Sequence, residues 1–461
     1  MSMEQAESIG AVRPVGAGSR AAWLVPELLA DPSWIFSLGE VAAGDMVRAI
    51  RRAHRPGQPL IDYRRDDFEF DAALPVLRAA FAETRDGRGI ALVRGLPRAA
   101  LSEPEFELLT WAIGLHAGVP RPQGKATHYL SAVRDIGTVY RSGTGRGYSS
   151  NAELDFHTDG ADVVALTCFN TAKAGGMSMV SSSVTAHNIM VAERPDLAAL
   201  LHGTFHFSRQ AEQAPDEAPF YPHPIFAELD GRLHSRWNRN RITSAQKLPG
   251  VPPLSAAQRA AIDLLDEILR RPQVMYAMHL APGDMQLLNS HVTLHSRTGF
   301  EDHADAADKR LLFRLWLTPP DARALPAAWR PGYRSVAART VQGRHPRSGL
   351  RLGPAGLRAA AGHDTGHGAG GRLGLMAPSR AGAAAGGTWT WPDRGMADRV
   401  SVEVLSLGVP RFPRHVRKVR PKGGNTKLGV PGRFLLSPIS PQVTCGPACG
   451  RGRWRSSRRT R

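Results

Sequence analysis

The stretch Phe156-His157-Thr158-Asp159-Gly160 places an imidazole and a carboxylate two residues apart. Side chains at positions i and i+2 of an extended segment point to the same side, so His157 and Asp159 can both reach one metal ion. A His-x-Asp pair also arises often by chance, and an isolated pair is better explained as two polar residues facing water. A metal site therefore needs a third ligand from elsewhere in the chain.

The candidate third ligand lies far downstream, in the stretch Asn289-Ser290-His291-Val292-Thr293-Leu294-His295-Ser296-Arg297. Two histidines and one carboxylate on one face of a metal form the facial triad of non-haem Fe(II) oxygenases, which leaves other coordination positions free for substrates. His291 and His295 are four residues apart, so in a strand they face the same side and could compete for the metal.

Further polar residues favour the metal interpretation over a chance pair. Gly175-Gly176-Met177-Ser178 places a hydroxyl on a predicted strand shortly after the His-x-Asp pair, and Arg310 and Arg314 follow the distal histidine. A 2-oxoacid co-substrate chelates iron through its keto oxygen and one carboxylate, and its far carboxylate needs a cation. Arginine supplies a bidentate grip for such a carboxylate, and a hydroxyl can add one more hydrogen bond.

These motifs resemble the TauD/TfdA (taurine dioxygenase-like) family of Fe(II)/2-oxoglutarate-dependent oxygenases, over roughly residues 85–340. The resemblance rests on His157-Thr158-Asp159, Gly175-Gly176-x-Ser178, His295 and Lys309-Arg310-Leu311-Leu312-Phe313-Arg314-Leu315-Trp316-Leu317. It implies a double-stranded β-helix (jelly-roll, clavaminate synthase-like), an Fe(II) cofactor, consumption of O2 and 2-oxoglutarate, and release of succinate and CO2.

The resemblance also implies a role for each matched residue. The iron ligands would be His157, Asp159 and His295, with His291 a structural residue. Ser178 takes the place of the family's hydroxyl residue at the 2-oxoglutarate carboxylate, and Arg310 matches the salt-bridge partner of that carboxylate. Arg314 matches a position that faces the bound substrates and can hold an anionic group. The two arginine roles could be exchanged, because the segment between His295 and Arg310 is longer than in the founding members.

The carboxylate of Asp159 bears on the type of reaction. Halogenases that resemble this family lack the carboxylate, so that chloride can bind the iron. Because the position is filled here, the resemblance favours hydroxylation, desaturation or oxidative cleavage. We expect oxidation, above all hydroxylation, of a small polar or anionic substrate.

Hydrophobic periodicity predicts a mostly β fold with flanking helices. Predicted helices cover 41–54, 70–83, 103–117, 185–194, 196–201 and 255–271, and predicted strands cover 90–96, 161–169, 177–181, 274–280, 285–289 and 311–317. Asp230-Gly231 predicts a hairpin, whereas the residues from 202 to 224 form a long polar region without a predicted element. The expected organisation is a disordered N-terminus at 1–20, one oxygenase domain at 21–343 and a disordered, basic, Gly/Pro/Arg-rich tail at 344–461.

The charge distribution separates this tail from the rest. From Arg344 to Arg461 there are 22 Lys and Arg against 4 Asp and Glu, which accounts for the whole net charge of +18. The remaining residues are balanced, with 37 basic and 37 acidic side chains. The tail also holds 21 of the 47 glycines, a composition that cannot bury enough apolar surface to offset the entropy of ordering. A shifted or extended reading frame in a GC-rich gene is the preferred explanation of the tail.

Two functions of other classes remain open at this point. The basic tail could bind nucleic acid through its charge, or a protein of the same fold could bind metal and ligand without turnover. The chain shows no apolar run of transmembrane length and no secretory signal, so no membrane partner is expected. Three cysteines are too few for a disulfide framework, which favours the cytoplasm. Small-molecule substrate, O2 and 2-oxoglutarate are the expected partners, and an oligomer is possible.

Several other residues receive structural interpretations. Trp316 is expected in the core and Cys168 as a buried thiol without a partner that would activate it. Arg297 is at least as readily a solvated side chain as a substrate contact. His187 and His202 are expected to be ordinary packed or surface histidines.

Overall fold

The computed structural model describes residues 12–16, 18–124, 128–140 and 147–341. The predicted tail at 344–461 lies outside the described residues, as do residues 1–11 of the predicted disordered N-terminus. Val15 is buried, and its backbone N–H donates to Asn188 Oδ1 at 3.0 Å. This contact lies within the stretch 1–20, and the predicted domain boundaries stay predictions.

A seven-stranded sheet forms the larger β layer. Its strands, in spatial order, are Ile35–Ser37, Ile90–Arg94, Met285–Asn289, Val163–Asn170, Leu311–Thr318 and Val119–Pro120, with Leu130–Val133 also paired to Leu311–Thr318. The first two strands are parallel and the other pairs are antiparallel. Polar side chains on the inner face of this sheet therefore come from distant parts of the chain.

A three-stranded antiparallel sheet forms the smaller layer, and it carries two of the predicted site residues. Its strands, in spatial order, are Met275–Met278, Ser178–Ser182 and Thr293–Arg297. Val180 and Met278 of this sheet share a buried cluster with Val164, Leu288 and Leu312 of the larger sheet. The two sheets thus face each other across one apolar layer.

Alternation along the strands separates this inner layer from the helices. Leu92 faces the smaller sheet, whereas its neighbours Ala91 and Val93 belong to the cluster that includes the helix residues Phe106 and Leu109. Successive side chains of a strand point to opposite faces, so a strand covered on both faces is apolar throughout. This explains the unbroken apolar run at 90–93 in the strand Ile90–Arg94.

The helices lie outside the sheets. They cover Val25–Ala30, Glu40–Ala53, Leu74–Asp86, Glu103–Ala117, Ser183–Glu193, Pro195–Leu201, Arg239–Ala245, Ala256–Leu269 and Arg330–Tyr333. Glu103–Ala117 covers the predicted residues 103–117 and follows Ser102, whose backbone N–H and hydroxyl both donate to Glu105 in the capping arrangement. No helix in the described ranges is long and apolar enough to cross a membrane.

The expectation of a mostly β chain is wrong in proportion. Helices cover more of the described residues than strands do, so the fold is mixed. No element was predicted in the polar region at 202–224. It contains two strands, Thr204–Ser208 and Phe220–Pro224, which pair with each other. The predicted hairpin is present as Phe226–Leu229 and Arg232–Ser235.

Candidate metal centre

Backbone pairing brings the two metal-ligand candidates from distant segments together. His295 lies in the strand Thr293–Arg297, and the backbone N–H groups of His157 and His295 each donate to the other's carbonyl at 3.0 Å. The extended His-x-Asp segment therefore lies beside the smaller sheet, with the two imidazole centroids 4.3 Å apart. Asp159 follows two residues later and points to the same side.

Three ligand atoms converge at this point. Nε2 of His157 is 3.9 Å from Oδ1 of Asp159, and Nε2 of His295 is 3.7 Å from Oδ2 of the same carboxylate. One ligand atom from each of the three residues lies within 4.8 Å of the others. Atoms that each bind one ion at about 2 Å are separated by roughly 3–4 Å, so the geometry fits a single metal ion. Two imidazoles and one carboxylate are the donor set of non-haem Fe(II) sites.

The protonation of the histidines suits metal binding. Nδ1 of His157 is 2.9 Å from the carbonyl of Asp155, which takes a hydrogen bond from Nδ1–H and leaves the Nε2 lone pair free. Burial and the neighbouring His157 lower the pKa of His295 to about 3, so this imidazole is neutral at physiological pH. Both rings can therefore offer a lone pair.

The carboxylate of Asp159 is held in its ionised form. Burial raises its pKa, but Arg314, the two imidazoles and the indole of Trp316 together lower the pKa of Asp159 to about 2. Trp316 Nε1 donates to Oδ2 at 3.0 Å, and Arg314 Nη1 lies 3.5 Å from the same oxygen. Trp316 is therefore a contact of the metal-ligand candidate, not only the core residue that the sequence predicted.

His291 is engaged elsewhere. It precedes the strand, and its Nε2 lies 3.0 Å from Oδ1 of Asp162. Its ring also contacts Trp329 and Tyr333, with centroids 5.8 and 6.4 Å apart. The structure therefore places His295, and not His291, with His157 and Asp159.

The three ligand candidates open onto a cavity of about 620 Å³. Ser178, Arg310 and Arg314 all line it, so every predicted co-substrate residue reaches the same space as the triad. Arg297 lines it as well and is 5% exposed, which contradicts its interpretation as a solvated side chain. Cys168 is a buried thiol as predicted, and burial raises its pKa to about 12.

Other cavity residues were missed by sequence reasoning. Arg121 and Arg236 both line the cavity and are buried. Arg121 lies between two prolines after a predicted helix, and Arg236 follows the hairpin strand Arg232–Ser235. Gln123 accepts a hydrogen bond from Nε of Arg314 at 2.8 Å and donates to the carbonyl of Arg314 at 2.9 Å. The dense basic stretch Arg236-Trp237-Asn238-Arg239-Asn240-Arg241 is the one signal that could have indicated this side of the cavity.

The family described as "Taurine catabolism dioxygenase TauD, TfdA family" matches residues 53–316, more than half of the chain. The chain belongs to the TauD/TfdA family. The protein named "FR-33289 synthase", from Streptomyces rubellomurinus, is 30% identical over 313 residues, which cover 67% of this chain and 92% of that protein. The "Taurine hydroxylase-like protein SAT17" of Stachybotrys chartarum is 24% identical over 320 residues, which cover 65% of this chain and 81% of the relative.

Solved structures of two oxygenases also align with this chain. Asparagine oxygenase (AsnO) aligns with a TM-score of 0.47 and 16% identity, over 66% of this chain and 98% of that chain. The non-haem iron oxygenase OrfP in complex with Fe and α-ketoglutaric acid aligns with a TM-score of 0.45 and 16% identity, over 62% and 94%.

Membership of the TauD/TfdA family defines the enzyme class. The protein is an Fe(II)/2-oxoglutarate-dependent dioxygenase that acts on a small molecule and consumes O2 and 2-oxoglutarate. The triad of His157, Asp159 and His295 fits the iron that this chemistry requires.

Proposed function

We propose that this TauD/TfdA dioxygenase hydroxylates a small polar or anionic organic molecule, with His157, Asp159 and His295 as the iron ligands. The observation that carries the proposal is the convergence of these three side chains at the wall of a cavity that also contains buried arginines. A buried guanidinium without a carboxylate partner costs desolvation energy, which a bound anion would offset.

Arg310 is the proposed binding residue for the far carboxylate of 2-oxoglutarate. It is 6% exposed, and its Nη1 is buried without a hydrogen-bond partner among the described residues. Gly176 has a φ of +70°, and a Cβ atom there would lie 3.2 Å from Nε of Arg310, so glycine leaves room for the guanidinium. These contacts support the role that the family resemblance assigns to Arg310.

Ser178 and Arg297 are proposed to complete this carboxylate site. The two residues are cross-strand partners in the smaller sheet, and both line the cavity. The guanidinium carbons of Arg297 and Arg310 lie 4.6 and 5.0 Å from the centroid of the same Phe300 ring. The hydroxyl of Ser178 donates to Gln286 Oε1 at 3.0 Å and can turn to a carboxylate. Burial and the charge of Arg310 lower the pKa of Arg297 to about 9, and an anion bound near both guanidiniums would offset this repulsion.

Arg314 has a different proposed role. Its guanidinium contacts both Asp159 and Gln123, so it already has a carboxylate partner at the triad. We assign it to the orientation of Asp159 and to the substrate side of the cavity, and we assign 2-oxoglutarate to Arg310. The exchange of roles that the sequence left open is disfavoured on these contacts.

Iron bound at the triad would couple the oxidative decarboxylation of 2-oxoglutarate to activation of O2. The residues of the chain have supporting tasks in this scheme. The carbonyl of Asp155 fixes the tautomer of His157, and Trp316 and Arg314 hold Oδ2 of Asp159, which leaves Oδ1 for the metal. The enclosing wall excludes water while the substrate C–H bond is presented.

The finer description of the fold belongs to the same proposal. We propose that the two facing sheets form the jelly-roll of the family within residues 21–343 and that residues 344–461 have no part in catalysis. A cytoplasmic location also stays a prediction, which cell fractionation would test. Nucleic-acid binding by the tail is the disfavoured alternative, since the family match accounts for the domain without it.

Succinate release gives the direct test of the proposed function. Purified full-length protein with Fe(II), O2 and 2-oxoglutarate is screened against amino acids and small organic acids, and succinate and hydroxylated product are measured by mass spectrometry. Succinate should form only with Fe(II) and should disappear in His157→Ala and Asp159→Ala. Equal succinate release by wild type and both variants would refute the proposal.

A further inference from the structure

Arg121 is an unusual cavity residue because its guanidinium has no hydrogen-bonded partner in the part of the chain that the structure describes. The residue is 4% exposed, and among the described residues its Nε and Nη1 are buried without a hydrogen bond. The charge of Asp162 acts on it, but no ion pair joins the two, and Oδ1 of Asp162 is 3.0 Å from Nε2 of His291. A buried guanidinium of this kind is costly unless a ligand or water satisfies it.

Arg236 lies on the same side of the cavity. Its Nη1 donates to the carbonyls of Thr158 and Asp159 at 3.2 and 2.7 Å, which are neutral acceptors. Its Nε has no hydrogen-bond partner within the described ranges. The guanidinium carbon of Arg236 is 5.8 Å from the ring centroid of Tyr333, and the charges of Arg236 and Arg121 both oppose the rise that burial causes in the pKa of Tyr333. The side chain of Arg236 is therefore fixed beside the metal-ligand segment.

The remaining arginines around this part of the cavity already have carboxylate partners. Pairs with Asp or Glu are made by Arg209, Arg239, Arg241, Arg314 and Arg334. Among described cavity arginines, four lack such an ion pair: Arg297 and Arg310, which both contact Phe300, and Arg121 and Arg236, whose charges both act on Tyr333. If 2-oxoglutarate occupies the first pair, the second pair is left for another anion.

We propose that Arg121 and Arg236 form a second anion subsite, which binds an anionic oxygen group of the substrate: a carboxylate, sulfonate or phosphonate. This inference rests on the proposed function, because it takes Arg297 and Arg310 as the site of 2-oxoglutarate. The bidentate geometry of guanidinium suits all three groups. Because Arg236 contacts the carbonyl of Asp159, an anion held there would place the adjoining carbon skeleton beside the triad.

Three small probes with one methyl group each can test the subsite: methylphosphonate, methanesulfonate and acetate. The full chain is loaded anaerobically with Fe(II) and saturating 2-oxoglutarate, and the visible charge-transfer band of the chelate confirms that this site is filled. Paramagnetic Fe(II) broadens the methyl proton resonance of a probe that binds nearby, so the broadening gives a dissociation constant even for weak binding.

The variants are chosen so that charge and position can be separated. Arg121→Gln removes the unpaired charge, Arg121→Lys keeps the charge without the fork, and Arg239→Gln removes a cavity arginine that is already paired with Asp266 at 2.7 Å. We expect at least one probe to bind the wild type and Arg239→Gln alike, and to bind Arg121→Gln about tenfold more weakly or worse. The lysine variant should lie between them.

The outcomes are distinct. Preference for methylphosphonate would identify a dianionic group as the substrate feature, and comparable binding of acetate would identify a carboxylate. Equal binding in wild type and Arg121→Gln, equal losses in Arg121→Gln and Arg239→Gln, or no binding of any probe while the band is intact would overturn the subsite. A missing band in the wild type would instead contradict the proposed function. Calorimetric titration of the metal-free chain with the probes would then test the subsite. Weaker binding in Arg121→Gln than in wild type would support it, and equal binding would overturn it.

Discussion

Two pairs of buried arginines line the cavity, and they differ in what surrounds them. Arg297 and Arg310 lie over the same Phe300 ring, beside Ser178 of the smaller sheet. Arg236 donates to the carbonyl of Asp159, and Arg121 lines the same cavity. Neither pair has a carboxylate partner among the described residues, which supports the proposal that each binds an anion from solution. The difference suggests that co-substrate and substrate approach the triad from separate sides.

Of the predicted effects, the largest should be the loss of 2-oxoglutarate affinity when Arg310 is replaced. Charge-assisted hydrogen bonds contribute about 1.5–3 kcal/mol each, so loss of a bidentate contact in Arg310→Gln should weaken 2-oxoglutarate binding by about 100-fold or more. The anaerobic charge-transfer band, titrated with 2-oxoglutarate, gives the dissociation constant. Arg314→Gln, four residues further along in the strand Leu311–Thr318, is the matched control and should weaken 2-oxoglutarate binding much less. A larger loss in Arg314→Gln than in Arg310→Gln would reverse the two assignments.

Low pH should destabilise the fold, because His223 and His234 are buried as neutral groups. Burial lowers the pKa of His223 and His234 to about 3, and the ring of His223 contacts Trp329 and Tyr333. Each histidine binds a proton on unfolding below its unfolded pKa of about 6.5, so folding stability falls as pH decreases from there toward 3. The expected slope is about 1.4 kcal/mol per pH unit for each histidine.

Urea unfolding of the metal-free protein at pH 7.5 and 5.5 measures this effect. Between the two pH values, the free energy of unfolding of His234→Phe should fall by about 1.4 kcal/mol less than that of the wild type. His128→Gln, at an exposed position, should behave as wild type. An identical pH dependence in wild type and His234→Phe would show that the histidine is not buried as a neutral group.

The two arginines of the proposed substrate subsite should differ in their effect on stability. Arg236→Gln loses hydrogen bonds to the carbonyls of Thr158 and Asp159, which should lower the free energy of unfolding by about 1–3 kcal/mol. Arg121→Gln removes a buried charge that has no hydrogen-bonded partner, so the ligand-free protein should be equally or more stable. Urea unfolding at pH 7.5 compares them. Similar losses in both variants would mean that Arg121 has a partner in the native protein.

Truncation after residue 345 should have the smallest effect of all. The family match ends at residue 316, and the excess positive charge lies beyond residue 343. We expect unchanged 2-oxoglutarate affinity, succinate release and thermal midpoint in the truncated protein. Loss of soluble, active protein would show that the tail belongs to the fold. Loss of salt-dependent DNA or RNA binding alone would assign the tail a separate function.

The sequence was informative where local patterns determine structure. The helix predicted at 103–117 and the strand predicted at 285–289 are both present, as Glu103–Ala117 and Met285–Asn289. The predicted helix at 70–83 begins four residues later, at Leu74, because Pro75 favours the first turn of a helix. Local signals therefore indicate elements well and their boundaries less well.

The candidate site shows the same limit. His157, Asp159 and His295 could be recognised because their types and order match a family, but the contacts around them depend on pairing between distant segments. Trp316 reaches Asp159 across 157 residues of chain, and Arg236 contacts Thr158 across 78. Whether the charge of Arg121 has a carboxylate partner likewise depends on which side chains the fold brings next to it. Such features follow from tertiary packing and have no local sequence pattern.

An anaerobic titration of Fe(II) and 2-oxoglutarate tests the central claim most directly. The wild-type protein should develop the visible charge-transfer band of the chelate, His295→Ala should lose it, and His291→Ala should retain it, because His291 is bound to Asp162 and not to the triad. Absence of the band in folded wild-type protein, or its loss in His291→Ala with retention in His295→Ala, would contradict the account.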